Sequence, residues 1–535
     1  NDNVNDYVPL AWNEEKQVWV AQCDMIKAEE KGLLKMDLLG LNNLDIENQC
    51  LHLIKQYQGI GVNLDTIPFE DEIFTEIYGK GNTNNVFQVE SDGMKRMLRE
   101  FQPACFEDII LLVAAYRPGP MQYLDDVIAV KKGKKKVSYR HPFLEPILSK
   151  TYGAVIYQEQ VMQIFQKLAG YSLGSADLVR RAMSKKKIDK LEKERKAFIN
   201  GDADRKIDGC ITRGVDTETA EKIFDEMMEF AKYAFNKSHA AAYSLVSYQT
   251  AWLKYHYPKE YLCALFNLKN QDKYGSVFQD CDLYQIKLLP PDINSSYYDF
   301  VLEGECIRYG LRGIKGIGEA DREIVDRICI ERRNGPFTSF SDFLLRVIPL
   351  DDEGHIRLPK EFLETIIKVG AFDTFFPDRE FLLDILAETS KVVAACPNEF
   401  RTQLQAFEIN GIAKNRTYNL HQEVQLLGAV VSEHPLEEYW EDAIYGCTPV
   451  SNLNDGQVSV LGFVVEGDRV RTKKGADMIR MTIQGNTGIC NVLFLGQAYA
   501  KYETEWEYYL NRVVKVRGSC KSGTIFGNSI RELKP

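Results

Sequence analysis

FAKYAFNKSHAAAYSLVSYQTAWLKYHYP, Phe230 to Pro258, decides how this chain is read. Apolar residues recur at helical spacing on either side of its middle, through KIFDEMMEFAKYAF (Lys222–Phe235) and AAYSLVSYQTAWLKYHY (Ala241–Tyr257). Between them Asn236, Lys237, Ser238 and His239 form a polar island. Two readings stand side by side. Asn236 or Ser238 caps a helix whose tyrosines face a core. Alternatively, the small run Ala240–Ala242 admits a base or another backbone, Tyr243, Ser247 and Thr250 present hydrogen-bonding groups, and aromatics beside cations stack bases and hold phosphates.

Outward from this stretch, helical periodicity dominates from Asp71 to about Asn270, with no internal repeat. Over 535 residues several domains are expected. Apolar content of 45% and charged content of 27% fit a soluble globular chain. No run of eighteen apolar residues occurs, which excludes a membrane-spanning helix. The start, NDNVNDYVPL, lacks a signal-peptide pattern, and the twelve cysteines are scattered without CxxC or zinc spacing. A cytoplasmic chain with reduced thiols is therefore expected.

The net charge is −11, yet Tyr116–Asn200 carries eighteen Lys and Arg against eight Asp and Glu. A focused basic cleft can sit within an acidic shell. The cation peaks in LVRRAMSKKK, Leu178–Lys187. Arg181 and Lys185 align four apart with Leu178 beside them, and Ser175 and Asp177 are expected to cap this helix. Such a face suits a polyphosphate, and cations near a helix C-terminus equally suit its dipole.

Four other stretches carry chemistry. In GLLKMDLLGL, Asp37 lies in an apolar run that reads as a buried strand with Lys35 and Asp37 on one face. A buried carboxylate needs a cation: a divalent metal, the Lys35 ammonium, or a capping role for the helix near Asn42. VAAYRPGPM, Val113–Met121, stops a helix at Pro118-Gly119-Pro120 and holds Arg117 at the mouth of the turn. GIKGIGEADREIVDRI, from Gly313, reads as a helix-hairpin-helix, in which Lys315, Gly316, Ile317 and Gly318 offer charge and amides to a duplex phosphate. QLQAF, Gln403–Phe407, has spaced apolar anchors of the kind that dock in a partner's pocket.

The ends are β-rich. DYVPLAWNEEKQVWVAQCD reads as a hairpin turning at Asn13–Lys16. VSVLGFVVEGDRV, DMIRMTIQG, GICNVLFLG and RVVKVRGSCK, from Val458 on, read as strands of a small barrel, with an OB-fold as the natural candidate.

Taken in order, KMDLLGL, NVFQVESDGMKRML (Asn85–Leu98), FEDIILLVAAYRPGPM, TYGAVIYQEQVMQI, RRAMSKKK, FAKYAFNKSHAAAYSLVSYQTAWLK, LPPDIN, GIKGIG and LLGAVVSEHPL (Leu426–Leu436) resemble the bacterial DNA polymerase III alpha subunits, the C-family replicative polymerases. The resemblance implies a DNA-directed DNA polymerase, adding deoxynucleotides to a primer 3′-OH with two Mg²⁺ ions held by three aspartates. Asp37 resembles the third of these, and no paired-acid motif precedes it. On this resemblance the chain is expected to start inside the palm, without the phosphoesterase-like domain, the first part of the palm and the thumb, and to be inactive alone.

The implied fold is multidomain α+β: the C-terminal part of a nucleotidyltransferase-type palm (1–42), mainly α-helical fingers (43–288), a helix-hairpin-helix clamp-binding domain (289–393), a connector with the clamp motif (394–454) and an OB-fold β-barrel (455–535). Arg117, Arg180, Arg181, Lys185, Lys186, Asn236, Lys237, His239 and Tyr243 resemble the family's dNTP-binding residues, and Gly316–Gly318 with Lys315 its grip on duplex DNA. Gln403, Leu404, Ala406 and Phe407 resemble its sliding-clamp motif, with Ala406 where a large apolar residue is usual. Expected partners are primer–template DNA, dNTP, the sliding clamp and other replisome subunits. Other readings are a non-catalytic DNA- and clamp-binding module and a damage-bypass paralogue.

Overall fold

The computed structural model describes residues 3–533 apart from 35, 37–39, 185–187, 231–232, 349–357, 396–415, 433–435, 437–438, 440–445, 451–452, 454, 473–474, 486–487 and 522. The chain divides into two compact units, Asn1–Asp45 and Ile46–Pro535.

In the first unit the alternating start folds as its pattern predicts. β1 (Leu10–Asn13) and β2 (Val18–Ala21) pair antiparallel, with Leu10 opposite Ala21. Trp12 and Trp19 meet across the ladder with ring centroids 5.4 Å apart, a pairing that supports an otherwise marginal two-stranded sheet. Asp24 caps the helix Met25–Glu30 by accepting from the Lys27 amide at 2.9 Å. The strand expected over GLLKMDLLGL is corrected at Leu33, Leu34 and Met36, which have no regular structure; Leu34 and Met36 are 86% and 73% exposed. A strand needs a ladder partner, and among the described residues β1 and β2 pair only with each other. Lys35 and Asp37 lie outside the described residues.

The second unit is mainly helical. Ile46, Cys50, Leu53 and Ile54 of the helix Asn42–Gln58 enter its main core, as their spacing predicts. That core continues to Ala429 and runs across the expected 288/289 boundary. Phe266 stacks on Phe300 at 4.7 Å, and the Asn267 side chain bonds both the amide and the carbonyl of Phe300. A second core, from Leu144 to Met227, gathers around Phe165, Phe198 and Phe224. The stretch 43–288 thus holds two cores, one of them shared with residues beyond 288.

Either side of the LPPDIN break, β3 (Leu288–Leu289), β4 (Val301–Glu303) and β5 (Cys306–Arg308) form a small sheet in the order β3–β5–β4. The hairpin at Gly316–Gly318 leads into the helix Arg322–Glu331. Within the expected connector, 394–454, a helix forms over Arg416–Leu427. Its Leu420, Val424 and Leu427 are buried at helical spacing, a stripe that polar neighbours mask in the sequence.

The C-terminal strands close into a barrel: β6 (Gly456–Arg471), β7 (Asp477–Gly485), β8 (Gly488–Phe494), β9 (Val513–Lys521) and β10 (Thr524–Glu532), in the order β6–β7–β8–β10–β9 and back to β6. β8 and β10 run parallel and the other pairs antiparallel. The Gln279 side chain anchors the barrel to the helical body by donating to the Ile489 carbonyl at 3.0 Å. Among the described residues, no helix is long and apolar enough to cross a membrane, and the eleven cysteines are free.

Candidate functional site

The polar island is built where two helices start side by side. Asn236 is extended, and its side-chain oxygen accepts from the His239 amide at 2.8 Å, capping the helix Lys237–His256. Phe235 pairs its backbone with the segment leading into the helix Gln158–Ala169: Phe235 N donates to Ile156 O at 3.0 Å, and Gln158 N to Phe235 O at 2.8 Å. Glu159, in the first turn of that second helix, then accepts from the Lys237 amide at 3.0 and 3.1 Å and from the Asn236 side chain at 3.1 Å. A carboxylate between two helix N-termini is well placed electrostatically. The Lys237 ammonium pairs with Glu107 at 3.2 Å and lies 5.4 Å from the Tyr157 ring.

Arg117 joins this junction from the end of the helix Phe106–Ala115. Its Nε donates to Ala114 O at 2.9 Å, its Nη2 donates to Tyr233 O, and its guanidinium lies 4.3 Å from the Phe235 ring centroid. Burial holds its pKa below the usual arginine value. Gly119 lets the turn approach. Its φ is +108°, and a Cβ there would lie 2.5 Å from Tyr233 Cδ1. The ring column continues from Phe235 to His239 at 5.3 Å, from His239 to Tyr243 stacked at 4.3 Å, and from Tyr243 to Phe87 at 5.4 Å.

The face expected from Tyr243, Ser247 and Thr250 is corrected. Ser247 is buried against the Tyr78 hydroxyl at 3.0 Å, and Thr250 accepts from the Phe87 amide at 3.1 Å. From Ser247 to Lys254 the helix is buried, so these hydroxyls serve the core.

Arg180 and Arg181 sit on the helix Leu173–Ser184, which buries Ala176, Val179 and Met183 in the second core. Leu178 and Arg181 face outward, as their spacing predicts. Asp177 is not the cap. Ser172 takes that place, accepting from the Ser175 amide at 3.2 Å. Asp177 instead accepts a fork from Arg180 at 2.7 and 3.0 Å and pairs with Arg181 at 2.8 Å. The Arg180 hydrogen bond, with both arginine charges, holds its carboxyl below the usual range. Among the described residues, no hydrogen bond, ion pair or ring contact joins these arginines to the Arg117 group. Lys185 and Lys186 lie outside the described residues, as do Gln403, Leu404, Ala406 and Phe407.

At the hairpin, Lys315, Gly316 and Gly318 are exposed while Ile317 anchors the turn in the core. Gly316 has φ +99° with nothing near its missing Cβ. The expectation of open amides is corrected at three positions. Lys315 N donates to Leu426 O at 2.8 Å. Ile317 N donates to Ile314 O at 3.0 Å, and Gly318 N to the Asp321 carboxylate at 2.9 Å. Asp321 stands three residues after Gly318 and closes a local capping turn.

The family resemblance implies magnesium. Among the described residues, no group of three His, Cys, Asp or Glu side chains could hold a metal ion. They do not by themselves fit a two-ion centre.

A cleft of about 690 Å³ between the helix Asp92–Phe101, the helix Tyr274–Leu283 and the barrel is not among the sites the sequence points to. Lys80, Lys95, Arg96 and Arg99 line it beside the acids Asp92, Glu100, Asp280 and Asp455, and Asn491 and Thr524 come from the barrel. The signal is present in MKRMLRE, where Lys95, Arg96 and Arg99 share one helical side.

Residues 43–206 match the family described as bacterial DNA polymerase III alpha subunit finger domain, and residues 285–382 match a helix-hairpin-helix motif. The chain is 38% identical over 521 residues to DNA polymerase III subunit alpha of Thermus aquaticus, covering 93% of this chain and 41% of that protein. It is 34% identical to the same subunit of Aquifex aeolicus, with 96% and 43% covered, and 35% identical to that of Escherichia coli K12, with 94% and 45% covered. The chain spans less than half the length of these relatives.

Proposed function

Since the chain belongs to the bacterial DNA polymerase III alpha family over the length it shares with those relatives, we propose that it supplies the nucleotide- and DNA-binding part of a replicative DNA-directed DNA polymerase. The observation that carries this reading is the meeting of Arg117, Asn236, Lys237, His239 and Tyr243 along one helix junction and ring column. Arg117 and Lys237 would face the phosphates of an incoming dNTP, one as a planar fork and the other as a point charge. Lys237 can leave Glu107 readily: both side chains are about a third exposed, and such pairs contribute roughly 0–1 kcal/mol. The His239–Tyr243 stack offers ring surface to a base. Arg180, Arg181, Lys185 and Lys186 belong to the same reading as the family's cationic helix.

Asp37 is the acid this chain would contribute to Mg²⁺, with residues 1–42 as palm and the other acids outside the residues described. Lys315 and the hairpin would hold duplex backbone. A phosphate there would displace Asp321 from the Gly318 amide. The barrel's closed order, with its third and fifth strands parallel, supports an OB-fold. The cations of the neighbouring cleft would then track single-stranded template. Gln403–Phe407 would dock on the sliding clamp, in a cytoplasmic replisome.

The test uses the complete polymerase. Asp37→Asn should abolish incorporation while primer–template binding persists, and that binding should weaken as salt rises. Substantial incorporation by the variant removes Asp37 from the metals. Salt-insensitive binding removes the phosphate contacts.

A further inference from the structure

Apart from the hairpin, a second cavity, about 300 Å³, opens at the far end of the helix Arg322–Glu331. Asn294, Tyr297, Cys329, Arg332, Arg333 and Pro336 line it, so two cations face it and no acid does. Its walls are fixed. The Asn294 side chain bonds the amide and the carbonyl of Phe337 at 2.7 and 2.9 Å. Gly335, at φ +121°, reverses the chain before Pro336, and Arg346 ties the turn down by donating to Gly335 O at 2.8 Å.

Arg332 is the informative residue. Its Nη1 donates to Ser296 O at 2.6 Å, and its guanidinium lies over the Tyr297 ring, 4.1 Å from the centroid. Its Nη2 is buried and has no hydrogen-bond partner among the described residues. A buried charged donor left unpaired costs free energy, and it is the residue as a whole, not this nitrogen, that lines the cavity. Tyr297 has one face against Arg332 and remains 49% exposed. Arg333, beside it, is exposed and adds a second guanidinium.

We propose that the cavity walled by Tyr297, Arg332 and Arg333 binds one nucleotide, its phosphate on the two guanidinium groups and its base on the open face of Tyr297. A phosphate suits the planar donors of paired arginines. A base suits a ring already polarised by a stacked cation. The cavity is at the small end of ligand sites, which limits the occupant to a single nucleotide. The nucleotide is either free or part of a single strand. The site needs neither the Arg117 junction nor the hairpin, and it rests on the polymerase reading only for why a strand would pass nearby.

The test is photolabelling of the whole chain with azido-deoxyadenosine monophosphate and with a short oligodeoxyadenylate carrying the same base, followed by peptide mapping. Label is expected on peptides holding Tyr297 or Arg332–Pro336. Tyr297→Ser and Arg333→Ala, both at exposed positions, should each raise the half-saturating concentration about tenfold, with unchanged melting temperatures. Labelling by the mononucleotide assigns the site to free nucleotide, and labelling by the oligonucleotide alone assigns it to a strand. Absence of label from these peptides with both probes overturns the proposal, as does label that neither variant weakens. Label at Phe235–Tyr243 without label here leaves the polymerase reading standing and removes this one. The converse result does the opposite.

Discussion

The Arg117 guanidinium lies 4.3 Å from the centroid of the Phe235 ring, while its Nη2 donates to the Tyr233 carbonyl two residues earlier. One short segment therefore fixes the arginine from two sides. Cation–ring attraction contributes about 0.5–2 kcal/mol, more as water is excluded. Phe235→Ala in the complete polymerase should raise the KM for incoming nucleotide about tenfold and leave primer–template affinity unchanged. Steady-state incorporation with filter binding checks this. An unchanged KM would mean that Phe235 does not orient Arg117.

Gly119→Ala probes the same junction from the turn. Two costs are separable: the φ of +108° and the 2.5 Å approach to Tyr233 Cδ1. Backbone strain of this kind costs about 1–3 kcal/mol. Gly119→Ala should lower the urea midpoint accordingly, and adding Tyr233→Ala should restore only the steric share. Full restoration would show that the φ carries no strain for alanine.

Glu47 sets a pH dependence. It is 5% exposed, its Oε1 has no partner among the described residues, and burial raises its pKa from 4.5 to about 7. The folded state thus holds a proton more tightly than the unfolded state. The stability this contributes is present below about pH 4.5 and is lost as pH rises through about 7. The full swing is on the order of 3 kcal/mol. Glu47→Gln should be about as stable as wild type at pH 5 and more stable at pH 8, read from urea unfolding at each pH. Parallel pH slopes in the two proteins would assign the dependence to another group.

How much is legible in the sequence depends on range. The Asn236 cap, the Trp12–Trp19 hairpin and the Ile46–Ile54 stripe depend on residues a few positions apart, and periodicity reads such patterns directly. Ser247 and Thr250 mislead because their partners, Tyr78 and Phe87, lie far away in the chain, and nothing local says which polar face a core will claim. Asp177 resembles a cap because it is near a helix start, whereas two arginines three and four residues on compete for it more strongly. The Lys95–Arg99 cleft exists only once the barrel folds back beside it.

Arg379 and Glu423 form a deeply buried ion pair, at 2.8 Å with side-chain exposures of 1% and 0%. Arg379 also pairs with Asp373 at 2.7 Å, and Gly370 must be glycine because a Cβ would lie 2.2 Å from Arg379 Nη2. Glu423 accepts in addition from Val431 N, Ser432 N and the Ser432 hydroxyl. The pair therefore ties the helices Arg379–Ala395 and Arg416–Leu427 to the strap at Val431–Ser432. Removing one partner of such a pair costs about 3–5 kcal/mol, because the other charge stays buried. Arg379→Ala should fall in that range. Glu423→Gln should cost less, since Asp373 still neutralises the arginine. The double variant should be less destabilised than the sum, with a coupling of about 1–3 kcal/mol by urea unfolding. Additive losses would show that the two charges do not depend on each other.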